Sequence, residues 1–311
     1  MRDLGQTGLK VSEVGFGAWQ LGGSAAWGAM SDSAACGLVH RALDLGCNLF
    51  DTAPNYGSTN SERLLGAALE GRRDGIVLVS KFGHIPGGGE RFDEEWMWES
   101  LHDSLKRLRT DYLDALLLHS PPAAFQNGSH PIWEAMRRAQ EQGKIRFYGA
   151  SVDFADSVRT VLDTSDAQII EILFNILHQD PRRAFDRVRE TGVGVLTKVP
   201  LDSGWLSGKY SADSRFDGVR ERWSEEEIRQ RADLIEQLSW LTRNGGVLSQ
   251  KAIGYLLSYP EVSSVIPGSR SVQQLELNQQ SVHHVLSVDD REKLERFWDE
   301  FTEGGKDLLP W

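Results

Sequence analysis

Short apolar runs recur eight times along this chain, each followed by a loop and then, in most cases, by a segment whose apolar residues repeat every three or four positions. The runs are Val14–Trp19, Asn48–Asp51, Ile76–Lys81, Ala115–His119, Ile145–Ser151, Ile169–Phe174, Val193–Val199 and Val262–Pro267. Most are β-branched and aliphatic without apolar–polar alternation, the pattern of parallel strands covered on both faces. Strand–helix units repeated in this way predict an α/β protein of the (β/α)8, or TIM barrel, type instead of an open sheet. The chain's 311 residues suit that architecture, which takes ~250 residues plus loop insertions.

The helical segments carry their own punctuation. Ser31 and Asp32 are placed to cap a helix bearing Leu38, Val39, Ala42 and Leu43 that stops near Gly46. Asp93 precedes Trp96, Met97, Leu101, Leu105 and Leu108, which share one helix face. Ser224 and Glu227 form a capping box. Further helices are predicted over Ile132–Gln142, Pro181–Glu190, Gln250–Ser258, Ser271–His283 and Asp289–Phe301. Gly5 and Gly8 punctuate an N-terminal hairpin that would close the bottom of the barrel, and the connections His84–Asp93 and Gly204–Trp223 predict elaborated loops. No composition shift divides the chain, so residues 1–311 read as one domain.

Charge and composition exclude several functions. With 34 basic against 45 acidic residues and a net charge of −11, the chain offers no surface for nucleic acid. No apolar stretch reaches the ~18 residues of a membrane span, and the polar N-terminus has no signal-peptide core, so a cytoplasmic location is expected. Cys36 and Cys47 are too few for a disulfide framework or a cysteine zinc site. Nothing in the sequence specifies an oligomeric state.

Active sites of such barrels lie at the C-terminal ends of the strands. Three ionisable residues end three successive runs there: Asp51, Lys81 and His119, with Tyr56 in the turn just past Asp51. Singly, each has an ordinary structural role: a helix cap, a snorkelling lysine, a core histidine, a packed tyrosine. One site accounts for all four at once. The set suits proton transfer, with Asp51 aiming Lys81, Lys81 lowering the pKa of the Tyr56 phenol, and His119 hydrogen-bonding a substrate oxygen. No second carboxylate stands at a glycosidase spacing, and no metal site is expected.

Several motifs, in order along the chain, resemble those of the aldo-keto reductases: Gly15-Phe16-Gly17-Ala18-Trp19, Phe50-Asp51-Thr52-Ala53-Pro54-Asn55-Tyr56-Gly57, Ser61-Glu62-Arg63-Leu64-Leu65-Gly66, Ser80-Lys81-Phe82-Gly83, Leu118-His119-Ser120, Gly149-Ala150-Ser151, Pro200 to Lys209, and Ile266-Pro267-Gly268-Ser269-Arg270. The resemblance implies the barrel, a nicotinamide dinucleotide bound without a Rossmann motif, and Tyr56 as general acid toward a carbonyl, tuned by Lys81 and Asp51 and assisted by His119. It implies cofactor contacts at Trp19, Ser151, Glu171 and Lys198, at Pro200, Leu201, Ser203, Gly204, Leu206 and Lys209 around the pyrophosphate, and at Gly268, Ser269, Arg270, Gln274 and Asn278 around the adenosine. The chain departs from the family pattern where Val152 replaces a common Asn, Glu171 the usual Gln, Lys198 a stacking Tyr, and Leu277 a common Glu. A bidentate pairing of Arg270 with a 2′-phosphate favours NADP(H), with NAD(H) the alternative.

Trp19, Trp27, Phe82 and Trp205 flank the matched motifs and are expected to wall the substrate pocket, whose occupant would be a small-molecule carbonyl or alcohol. Two other readings use the same residues: a nicotinamide-binding sensor that turns over slowly or not at all, and a metal-dependent hydrolase built on Asp51, His119 and His178.

Overall fold

The structure is a computed structural model that describes residues 1–23, 27–28, 30–218, 221–243 and 245–310. Part of the long Gly204–Trp223 connection, at 219–220, lies outside the described residues. A hairpin of β1 (Arg2–Asp3) and β2 (Lys10–Val11) precedes eight parallel strands. These are β3 (Phe16–Gly17), β4 (Leu49–Asp51), β5 (Val77–Phe82), β6 (Leu113–His119), β7 (Ile145–Val152), β8 (Ile169–Leu173), β9 (Gly194–Lys198) and β10 (Ser264–Val265). Each pairs with its neighbour in chain order. Val14 and Gly17 bridge in parallel to Val265 and Gly268, so the first strand meets the last and the sheet closes. Among the described residues no helix is long and apolar enough to cross a membrane.

The helices that cover the barrel are α1 (Asp32–Asp44), α2 (Asn60–Leu69), α3 (Glu94–Leu108), α4 (Ala123–Gln126), α5 (Pro131–Glu141), α6 (Ala155–Thr164), α7 (Phe185–Thr191), α8 (Glu225–Gln237), α9 (Leu248–Leu257), α10 (Val272–Gln279) and α11 (Val288–Phe301). The punctuation read from the sequence starts three of them. Ser31 accepts from Ala34 N at 3.2 Å, Asp93 from Trp96 N at 2.9 Å, and Ser224 and Glu227 close their box reciprocally. Three helices, α2, α4 and α6, have no counterpart among the predicted segments, and none has a side-chain cap of its own. The α2 helix starts after Ser58 and Thr59 in left-handed conformation, and the first amide of α6 is met by Asp180 from 25 residues away, at 2.7 Å. The Pro181–Glu190 and Ser271–His283 segments each split into an α-helix and a tighter 3-10 turn.

Strand parity decides what points inward. On β5, Val77 and Val79 face the barrel interior, whereas Leu78 and Phe82 pack outward against the helices. The same alternation puts Leu49, Ala115, Leu117, Ile169 and Leu196 inside, with Leu4 and Val11 of the hairpin closing the bottom of that cluster. The lower interior is a dry, apolar plug, and the next inward position on several strands opens the top.

Candidate active site

Continuing each strand by two residues replaces the apolar layer with charge. Leu49 is followed inward by Asp51, Val79 by Lys81, Leu117 by His119, Ile169 by Glu171 and Leu196 by Lys198. Register brings them side by side: Asp51 lies opposite Val79, Lys81 opposite Leu117, His119 opposite Ser151, and Ser151 opposite Glu171. Buried charges are costly unless answered by one another. Here they are.

The Lys81 ammonium donates to both oxygens of Asp51 at 2.6 Å, to the Thr52 carbonyl at 3.2 Å and to the Tyr56 hydroxyl at 3.4 Å. Glu171 Oε2 lies 3.3 Å from the same nitrogen. The Tyr56 and His119 rings meet edge to face at 5.7 Å, and Trp19 stacks on Tyr56 at 5.9 Å. Asp51, Tyr56, Lys81 and His119 therefore form one contiguous group.

Their electrostatics differ from the sequence expectation in one respect. The Tyr56 phenol is held well above its ordinary pKa, because burial outweighs the pull of Lys81 and the carboxylates of Asp51 and Glu171 oppose that pull. The lysine was expected to lower this pKa; it acts in that direction but does not prevail. A phenol that keeps its proton is a donor at neutral pH. Burial works against the charge of Lys81, yet Asp51 and Glu171 more than restore it, so the ammonium persists. Burial, with Lys81, His84 and Lys198 adding to it, pushes His119 well below the usual imidazole range and leaves it neutral. Its Nδ1 is buried without a hydrogen-bond partner.

Several residues expected around a nicotinamide cofactor connect to this group. Ser151 Oγ donates to Glu171 Oε1 at 2.9 Å and accepts from Lys198 Nζ at 2.8 Å, and Lys198 also pairs with Asp153 at 2.9 Å. The Pro200–Lys209 segment turns through left-handed conformations at Asp202, Ser203 and Gly204. Gly204, at φ +103°, has the freedom such a turn requires. Buried Asp202 pins this loop through His178 at 3.3 Å and Arg231 at 3.4 Å. Arg222 reaches Ser203 Oγ at 3.4 Å and Lys209 is exposed, which gives the loop the cationic character a diphosphate needs. Leu206 is buried beneath it. Past β10, Ser269 and Asn278 hydrogen-bond at 3.0 Å, Gln274 accepts from the Arg270 amide at 2.8 Å, and Gly268 sits against Gln20. The orphaned His119 nitrogen, the cation-flanked loop and this polar strand end have the donors that a dinucleotide would require.

The proposed substrate walls separate into two pairs. Trp27 packs edge to face on Trp19 at 5.1 Å, beside Tyr56. Phe82 and Trp205 are not brought to the mouth. Parity turns Phe82 outward onto Phe92, and Trp205 is fully buried with Tyr210, Phe216 and Trp223. Sequence reading missed His84, which meets His119 edge to face at 4.6 Å and pairs with Glu90 at 3.3 Å. It also missed Asp153 and Arg222. Asp153 follows Ser151 at the inward spacing of two, which is a usable signal, whereas His84 and Arg222 lie in loops without periodicity. Among the described residues no group of three or more His, Cys, Asp or Glu is placed to hold a metal ion.

Comparison with known proteins bears on this arrangement. The pattern defining the Aldo/keto reductase family matches residues 13–299. The chain is 30% identical to an L-galactose dehydrogenase of Arabidopsis thaliana, covering 93% of this chain and 89% of that protein. It is 29% identical to an NADH-specific methylglyoxal reductase of Escherichia coli, covering 91% and 94% respectively. Among solved structures, an aldo-keto reductase from Bacillus halodurans in its holo form superposes with a TM-score of 0.81 at 28% identity, covering 95% of each chain.

Proposed function

Because the chain belongs to the aldo/keto reductase family, an oxidoreductase family that uses nicotinamide cofactors, we propose that it is an NADP(H)-dependent reductase of aldehyde, ketone or sugar carbonyls, with Tyr56 as its proton donor. The observation that carries this reading is the Lys81 ammonium held between Asp51 and the Tyr56 hydroxyl. When bound, the reduced cofactor would supply hydride to the carbonyl carbon, and its oxidised form would take hydride back in the reverse direction. Tyr56 delivers its proton to the carbonyl oxygen, and the resulting phenolate is stabilised by Lys81 at hydrogen-bond distance. His119, neutral and with an unpartnered nitrogen, hydrogen-bonds and orients that oxygen. Trp19 and Trp27 wall the space beside Tyr56 and limit water there. In reverse, the phenolate accepts the alcohol's proton.

Ser151, Glu171 and Lys198 are assigned to the nicotinamide end, the Pro200–Lys209 loop to the diphosphate, and Ser269, Arg270, Gln274 and Asn278 to the adenosine end. Arg270 provides the two-pronged donor a 2′-phosphate calls for. The test follows reduced-cofactor absorbance with NADPH and NADH in parallel over a panel of aldehydes, ketones and aldoses. Arg270→Ala is expected to raise the KM for NADPH by tenfold or more, about 1.4 kcal/mol, while leaving that for NADH almost unchanged. Equal weakening of both cofactors contradicts the 2′-phosphate assignment. Tight binding with no turnover in either direction favours the sensor reading.

A further inference from the structure

Lys81 carries more negative charge than one ion pair requires. Asp51 already engages its Nζ with both oxygens at 2.6 Å. To the same nitrogen β8 brings Glu171, 1% exposed, with Oε2 at 3.3 Å. Each carboxyl group acts on the other, Glu171 raising the pKa of Asp51 and Asp51 lowering that of Glu171. Glu171 is tied in place at its other oxygen by Ser151, which is held in turn by Lys198.

Counting charge over this cluster gives a surplus. Asp51 and Glu171 bring two negative charges against one from Lys81, and the charge on Lys198 is answered by Asp153 at 2.9 Å. Other buried carboxylates face arginines: Glu62 meets Arg107, Asp114 meets Arg73 and Arg146, and Asp202 meets Arg231. Two carboxylates on a single ammonium in a dry site lower their energy by taking up one proton between them.

We propose that Glu171 is a positioning residue for the acid: at neutral pH it shares one proton with Asp51 beside Lys81, and once that proton leaves in alkali its charge offsets the ammonium's pull on Tyr56, so the phenol keeps its proton longer than Asp51 and Lys81 alone would allow. The inference rests on Tyr56 as proton donor, the reading given above. The charged and titratable groups around the phenol are Asp51 from β4, Lys81 from β5, His119 from β6 and Glu171 from β8. His84, from the loop after β5, and Lys198, from β9, stand behind His119. Burial opposes ionisation of Tyr56, Lys81 favours it, and both carboxylates oppose it. Glu171→Gln removes one opponent and leaves Asp51 and Lys81 as a simple ionised pair.

Two readouts independent of turnover test this. Infrared difference spectroscopy of the full-length wild-type protein at neutral pH should show the carbonyl stretch of a protonated, buried carboxylic acid, and Glu171→Gln should abolish it. Phenolate absorbance of Glu171→Gln, with the Glu171→Gln/Tyr56→Phe double variant subtracted to isolate Tyr56, should show about tenfold or more phenolate at a given alkaline pH relative to wild type. The alkaline limb of carbonyl reduction and the rise of alcohol oxidation should both move acidward. Absence of the protonated-acid band in wild type overturns the proposal even if the variant does not fold. A band that persists in Glu171→Gln, or an unmoved Tyr56 titration, also overturns it. Spectral shifts without turnover retire the reductase reading alone; Tyr56-dependent turnover without them retires this inference alone.

Discussion

The inner wall of this barrel has two halves made by the same strands and unlike in every chemical respect. In the lower half Leu49, Val79, Leu117, Ile169 and Leu196 point inward and exclude water. Two residues further along, Asp51, Lys81, His119, Glu171 and Lys198 occupy the next inward positions. The backbone geometry is shared, so the difference lies in the side chains alone. The lower layer stabilises the fold by about 25 cal/mol per Å² of apolar surface removed from water. The upper layer pairs charges whose desolvation roughly cancels their attraction, and it contributes chemistry instead. The contrast teaches that parity, continued past the end of an apolar plug, points to the working side chains.

Replacing one residue from each half separates the two contributions most sharply. Lys81→Met leaves Asp51 and Glu171 facing each other, a loss of about 3–5 kcal/mol for breaking a buried pair. Leu117→Ala in the layer below opens a cavity and costs about 2–5 kcal/mol. Chemical denaturation should thus find the two variants similarly destabilised, whereas turnover per folded molecule should fall by about 10²-fold or more only in Lys81→Met. Comparable turnover in both would erase the distinction between the halves.

A smaller effect sharpens the comparison through pH. Asp51 and Asp202 are both buried aspartates with opposite shifts. Burial and then Glu171 raise Asp51 well above the carboxylate range despite Lys81. For Asp202 burial also acts upward, but His178, Arg231 and Arg222 prevail and hold it below that range. A depressed folded pKa contributes stability that is complete above the unfolded value of ~3.9 and is lost as pH falls through the folded value. Asp202→Asn should therefore lower stability at neutral pH and flatten its decline below about pH 4. Urea unfolding across that range checks it, and an unchanged acid slope would contradict the assignment.

Much of this arrangement was legible in the chain. All eight barrel strands, the caps at Ser31, Asp93 and Ser224, and the convergence of Asp51, Tyr56, Lys81 and His119 follow from short-range pattern and from what strand ends do in a barrel. Other features were hidden for identifiable reasons. The α6 helix is capped by a residue from a different segment, which no local motif can show. Phe82 was misplaced because adjacency to Lys81 in sequence means opposite faces on a strand. Glu171 was read as a cofactor contact; its pairing with Lys81 crosses from β8 to β5 and depends on closure of the sheet. The raised pKa of Tyr56 depends on burial and net local charge, which a motif does not carry.

The account turns on Tyr56 as the proton donor, and one measurement reaches it directly. Tyr56→Phe removes a single oxygen from the site. Its carbonyl reduction should be measured against wild type with NADPH alongside the Kd for that cofactor. The account predicts a fall in kcat/KM of about 10²–10⁴-fold with cofactor affinity unchanged. Full turnover in the variant, or a loss explained by weaker cofactor binding, would contradict it.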